Sequence, residues 1–227
     1  MKFVSKKSLL VSLLAVVPFV ASAQLSSNIS LTSNYKFRGQ DQDISKSADF
    51  KPALQGGIDY AFANGFYVGN WNSSVNWLTG NSLEMDVYGG YKGELSPGLG
   101  YDVGVLTYAY PGASSANTTE VYGGLSYGPF SAKYSQTVSD QYFGGVKASY
   151  LSIGYAQELS KGLTLKAAAG MTNFKTGTDF SDYSVGVSYD LGEGYSLGGA
   201  YVGATKKSFF APGINDGRVV LTLSKAM

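Results

Sequence analysis

From Asn28 to Ser224 apolar and hydrophilic residues alternate with a period of two, and the alternation breaks at clusters of Gly, Pro, Asn, Asp and Ser. Successive side chains of a strand point to opposite faces, so the pattern dictates a series of β-strands, each with one apolar and one hydrophilic face. Asn28 to Phe37 sets Ile29, Leu31, Tyr35 and Phe37 against Ser30, Thr32, Asn34 and Lys36. Ala53 to Phe62 follows, with Leu54, Ile58, Tyr60 and Phe62 on one face and Gln55 and Asp59 on the other, and Asn64-Gly65 then turns the chain. The third segment sets Tyr67, Trp71, Val75 and Trp77 against Asn70, Asn72, Ser74 and Asn76. Nine more follow: Leu83 to Gly93, Leu99 to Tyr110, Thr119 to Tyr127, Phe130 to Val138, Lys147 to Gln157, Leu163 to Phe174, Asp182 to Asp190, Tyr195 to Ala204 and Arg218 to Ser224.

Twelve is an even number, and the connections are of two kinds. The odd-numbered ones span 15, 5, 8, 8, 7 and 13 residues and the even-numbered ones 3, 5, 2, 5 and 4. Long loops alternating with short turns predict an all-β, up-and-down antiparallel transmembrane barrel of about 12 strands, with both termini on the short-turn side. A soluble β-sandwich shares the alternation but needs large aliphatic residues on both inner faces. Here Gly, Ser, Asn, Thr and scattered charges make up the hydrophilic face instead. Aromatics bracket the short turns as a membrane-interface girdle would: Phe62 and Phe66, Tyr127 and Phe130, Tyr189 and Tyr195. Trp71 and Trp77, on the same lipid-facing parity, read as girdle residues in the first place and as part of a protomer interface in the second.

The N-terminus adds an export signal. Lys2, Lys6 and Lys7 precede the apolar run Leu9 to Phe19, and Ala21-Ser22-Ala23 supplies small residues, so residues 1–23 read as a cleaved signal peptide and 24–227 as the barrel domain. No stretch reaches the ~20 apolar residues of a transmembrane helix. Cleavage removes three of the 17 Lys and Arg, leaving 14 against 16 Asp and Glu, a net charge of −2 that offers nothing to a nucleic acid. The chain has no cysteine, so rigidity must come from a source other than disulfides. A closed hydrogen-bonded wall is such a source.

The segment Asn28-Ile29-Ser30-Leu31-Thr32-Ser33-Asn34-Tyr35-Lys36-Phe37-Arg38-Gly39, followed by Lys51-Pro52-Ala53-Leu54-Gln55-Gly56-Gly57-Ile58-Asp59-Tyr60 and Gly65-Phe66-Tyr67-Val68-Gly69, resembles the TorF family of porins. The likeness is most specific over residues 28–77, and the ending Arg218 to Lys225 is similar to that family as well. The resemblance implies a bacterial outer-membrane channel and no particular solute. The chain departs from the usual outer-membrane ending, an aromatic residue, by finishing Lys225-Ala226-Met227.

With no histidine, Ser-His-Asp, Cys-His and His-metal chemistry is excluded. A paired-carboxylate mechanism would fall to Glu84 and Asp86, which share a strand face, but solvated interior acids are the commoner meaning of such a pair. Asp41-Gln42-Asp43 has the start of a calcium loop, yet Lys46 stands where its glycine is required and Pro52 where its bidentate Glu is. No phosphate-binding Gly-Lys-Ser/Thr loop occurs, and no cofactor or metal is expected. Because a mid-bilayer charge facing lipid costs ~2–4 kcal/mol, parity sends Lys36, Asp59, Glu84, Asp86, Lys92, Asp102, Glu120, Lys133, Lys166, Asp182 and Asp190 to the interior as pore-lining residues. Acids lead seven to four, which predicts at most mild cation preference. The expected function is passive diffusion of ions or small polar solutes, with the loop Arg38 to Pro52 or Lys206 to Gly217 folding in to constrict the pore. The alternative is a non-conducting barrel that displays its loops. Expected partners are outer-membrane lipid, lipopolysaccharide, the barrel-assembly machinery and a second copy of the chain; Lys206 and Lys207 are in reach of lipopolysaccharide phosphates, though an ordinary solvated loop is the commoner meaning of such a pair.

Overall fold

The computed structural model describes residues 23–44, 50–207 and 212–227. The expected signal peptide, all but Ala23, lies outside them. Twelve antiparallel strands close into one barrel. Its wall consists of β1 (Gln24–Thr32), β4 (Ala53–Ala61), β5 (Phe66–Leu78), β6 (Asn81–Ser96), β7 (Leu99–Ala109), β8 (Thr118–Tyr127), β9 (Phe130–Thr137), β10 (Ala148–Ser160), β11 (Leu163–Phe174), β12 (Phe180–Gly192), β13 (Tyr195–Ala204) and β14 (Arg218–Ala226). Two further strands, β2 (Lys36–Phe37) and β3 (Gln40–Asp41), form a separate hairpin inside the first long loop.

Neighbouring strands pair in sequence order, and β14 returns to β1 through Asn28↔Ala226 to Thr32↔Thr222. Ser27 and Met227 add reciprocal N–H to carbonyl bonds of 3.1 and 2.8 Å, so the non-aromatic terminus still seals the wall. The two-kind connection pattern holds: four turns at one end, after β6, β8, β10 and β12, are two residues long. Several of their glycines adopt the left-handed backbone such turns require, among them Gly98 (φ 80°) and Gly128 (φ 54°). One expected loop is shorter than its sequence suggests, with β5 and β6 separated by Thr79 and Gly80 alone.

The outward face is apolar. Ile29, Leu31, Ile58, Val68, Val87, Val103, Val105, Ile153, Val185, Leu197 and Leu221 are all exposed. In a soluble protein such a belt would be a large aggregation-prone patch, whereas a bilayer covers it. The girdle aromatics Phe62, Phe66, Tyr127, Phe130, Tyr189 and Tyr195 are exposed at the short-turn end, as the sequence implies.

Two further expectations fail. The first segment does not run as one strand to Phe37: β1 begins earlier, at Gln24, and leaves the wall after Thr32. Tyr35 and Phe37 keep their alternation but pack inward, Tyr35 edge-on to Trp71 and Phe37 edge-on to Tyr108. The facing of β5 is also reversed. Tyr67, Trp71, Val75 and Trp77 point into the barrel, where Val75 is buried and Trp77 packs on Tyr110 and Phe143. Trp71 and Trp77 are therefore not girdle residues. Asn70, Asn72, Ser74 and Asn76 take the outward face, and Asn70 and Asn72 lessen the penalty by hydrogen bonding each other at 2.6 Å, Asn70 also donating to the Asp86 carbonyl at 2.9 Å.

Candidate functional site

The interior divides into two levels. Toward the long-loop end an aromatic cluster packs inside the barrel: Val75, Tyr108, Tyr110 and Ala116 are buried, with Phe37, Trp77 and Phe143 packed against them. The β2–β3 hairpin crosses this level. At its tip Gly39 (φ 75°) lies against Gly203 and Asp182, so close that a Cβ would stand 2.5 Å from the Gly203 carbonyl oxygen. The hairpin thus reaches from the β1 side of the barrel to β12 and β13, and the expected inward fold of the first long loop is observed for its described residues.

Polar pins hold the hairpin there. Asp41 binds Lys36 Nζ at 3.2 Å and Arg218 Nε at 2.8 Å, all three side chains being almost wholly buried. Lys36 Nζ also donates to the carbonyls of Gly39, Ile214 and Asp216 at 3.0, 3.2 and 2.6 Å, and Gln40 Nε2 donates to Asn215 Oδ1 at 2.9 Å. These bonds tie the first long loop to the last. Arg38, at the hairpin turn, pairs with Glu120 at 2.7 Å. Asp41 therefore serves as an ion-pair partner, not as the opening ligand of a calcium loop.

Most sequence-derived interior residues face the lumen on strands β4 to β9. Tyr35 and Tyr110 each donate to Glu84 at 2.9 Å, Tyr88 donates to Asp59 at 2.5 Å, and Tyr67 donates to Asp102 at 2.5 Å while bonding Tyr122. Asp86, the cross-strand partner of Trp71, is buried and its Oδ1 has no hydrogen-bond partner. Lys133 Nζ sits 3.7 Å from the Tyr122 ring centre, and the more exposed Lys92 lies 5.4 Å from that of Tyr67. On the opposite wall the charges thin out. Lys166 is half-buried on β11, and Asp182 on β12 accepts from Tyr150 at 3.1 Å. Two residues depart from the expected ring: Lys36 belongs to the loop hairpin and not to the wall, and Asp190 is exposed at the short-turn rim, accepting the Gly192 N–H at 2.8 Å.

The tyrosines lie flat because glycines make room for them. A Cβ on Gly90, Gly69, Gly104 or Gly170 would collide with the ring or hydroxyl of Tyr67, Tyr88, Tyr122 or Tyr150 respectively. An aromatic pressed along the wall occupies little of the bore. Sequence parity missed Arg38, Asp41 and Arg218; adding these, with Asp190 out at the rim, brings the interior close to charge balance.

No curated protein matches the sequence. Among solved structures the fold is similar to the KdgM porin, at TM-score 0.60 and 12% identity over 89% of this chain and 98% of that one, and to the same porin in complex with disordered oligogalacturonate, at 0.59 and 12%. It is similar also to the NanC porin, at TM-score 0.60 and 10% identity, with the same coverage. Such identities establish a shared barrel fold. They agree with the porin-like architecture that the TorF resemblance implies without singling out TorF. The sequence model described as "Bacterial protein of unknown function (Gcw_chp)" matches residues 20–225, nearly the whole chain, and the protein belongs to that family.

Proposed function

We propose that this protein is an outer-membrane channel for passive diffusion of ions and small polar solutes, constricted by its first long loop and at most weakly selective for cations. The two-faced wall carries the reading: outside, an apolar belt, interrupted at the Asn and Ser residues of β5, with aromatics at the short-turn rim; inside, carboxylates, lysines, tyrosine hydroxyls and small residues. That inner surface suits water and ions. Twelve strands enclose a bore between the side-chain-filled interior of ~8 strands and the open channel of 16 to 18. Near charge balance inside supports weak selection by sign. The named porins of similar fold and the resemblance of residues 28–77 to TorF porins favour the same reading, and with it an outer-membrane location and lipopolysaccharide as a neighbour.

A second reading has its own support. The aromatic cluster and the hairpin together fill the long-loop end, as they would in a closed barrel that only displays loops. Single-channel recording of the refolded chain Gln24–Met227 in a planar bilayer separates the two. Stepwise conductance with a small cation-favouring reversal potential in a salt gradient, reduced by E84Q and D86N, is the expected result. A heat-modifiable, folded protein that never conducts sinks the channel and leaves the closed barrel.

A further inference from the structure

Arg38 is held in a way that constricting a pore does not require. It and Gly39 are the two central residues of the β2–β3 turn, with φ of 47° and 75°. The left-handed backbone is strained for a side-chain-bearing residue, and a glycine at both positions would avoid that strain. The side chain offsets that strain. Its guanidinium donates to Glu120 Oε2 at 2.7 Å and to the Tyr142 hydroxyl at 3.1 Å, and its centre lies 4.1 Å from the Tyr150 ring centre and 4.8 Å from that of Phe37. In the ion pair with Glu120 the side chains are 6% and 1% exposed. Aromatic faces for a flat cation and a carboxylate at its edge are the elements of guanidinium recognition.

The tethered arginine does not exhaust the site. Glu120 Oε1 is buried without a hydrogen-bond partner, although a guanidinium fork can engage both oxygens of a carboxylate. The hairpin backbone fixes where Arg38 can place its fork. A guanidinium free of that tether can turn to use both oxygens.

We infer that Glu120, Tyr142 and Tyr150 form a binding site for guanidinium-bearing solutes in the lumen, and that Arg38 is its built-in occupant, displaced as such a solute enters. The inference deepens the channel reading and rests on it for its physiological meaning, while the site itself can be tested without conduction. The probe is methylguanidinium, with tetramethylammonium at equal concentration as a cation that lacks the planar fork. The proteins are the wild type, R38A and R38A/E120Q, each shown to be folded by heat-modifiable mobility. Methylguanidinium is expected to raise the melting temperature of R38A in detergent micelles, with an apparent affinity about tenfold tighter than for the wild type, whose site is filled, and to leave R38A/E120Q unmoved. In bilayers R38A is expected to conduct more than the wild type, and methylguanidinium to return it toward the wild-type level. R38K, which keeps the charge without the fork, replaces R38A should R38A not fold. Equal effects of the two cations, or equal effects on all three proteins, overturn the site even where the channel conducts. Selective stabilisation of R38A in a protein that never conducts upholds the site and overturns the channel.

Discussion

Tyr67, Tyr88, Tyr122 and Tyr150 are each paired with a glycine, and that pairing reaches from the backbone to the bore. Tyr150 rests over Gly170, which places its hydroxyl on Asp182 and its face on Arg38. Gly170→Ala puts a methyl group into the space of the ring, so Tyr150 must swing off the wall. We expect a loss of about 1–3 kcal/mol in urea unfolding from lipid vesicles. Gly123→Ala is the control: its Cβ would point outward at an ordinary 3.9 Å from Val103 and should leave the unfolding midpoint within experimental scatter. Equal behaviour of the two variants would remove the packing argument. The facing of β5 is testable at the same scale, because Trp71 and Trp77 are the only tryptophans. Brominated acyl chains, which quench lipid-facing indoles, should leave the intrinsic fluorescence nearly unchanged. Strong quenching would restore the girdle reading. Parity found the interior acids because a charge has one affordable side. It failed at Trp71 and Trp77 because an indole suits an interface as well as an interior, and the Asn residues between them looked like an inner face.

At the scale of elements, β1 and the β2–β3 hairpin show where the alternating pattern stops carrying information. Ile29 to Phe37 keeps its alternation except at Ser33, which stands on the apolar parity, yet the wall ends at Thr32, because Tyr35 and Phe37 find Trp71, Tyr108 and Phe143 inside the barrel. Ser33 alone marks that departure locally, and the destination of Tyr35 and Phe37 is not marked at all, since their partners are supplied by other strands and loops. The hairpin's pins were equally hidden: Asp41 and Arg218 stand 177 positions apart. Their burial makes the hairpin sensitive to one change. Asp41→Ala leaves the Lys36 ammonium and the Arg218 guanidinium without their shared carboxylate, and breaking a buried ion pair from one side typically costs ~3–5 kcal/mol. The cost can be relieved by the hairpin leaving the lumen, while the wall keeps its main-chain bonds. Trypsin added to the folded protein should then cut D41A at Lys36 or Arg38 at least tenfold faster than the wild type, with the barrel fragment still heat-modifiable. Unchanged cleavage would mean that the aromatic contacts alone fix the hairpin.

For the whole molecule the deciding question is where the ring is weakest, because a barrel has no edge only while it stays closed. Adjacent wall strands share seven or more register pairs everywhere except at the seam, where β1 and β14 share five. The sequence makes an even-stranded barrel legible through its turns and facing, but seam length depends on how far the last strand reaches along the first, which no local pattern records. β14 stops at Ala226, so Gln24 to Ser26 pair only with β4 on their other side, and Met227 closes the gap through its two bonds to Ser27. Removing Lys225 to Met227 deletes the pairs Asn28↔Ala226 and Ile29↔Lys225, the Ser27 bonds and the Ala226 N–H bond to the Gly194 carbonyl. Three register pairs then hold the ring. Opening at the seam would expose unpaired main-chain groups of both strands to hydrocarbon, where each costs several kcal/mol, so the open form should lead to global unfolding and not to a stable eleven-pair sheet. The truncated chain is therefore expected to lose its heat-modifiable band at a markedly lower urea concentration than the full chain and to fold into vesicles more slowly. A variant with Lys225 and Ala226 kept and Met227 alone removed should fall between the two. If the three proteins unfold together, the barrel opens somewhere other than the β1–β14 seam.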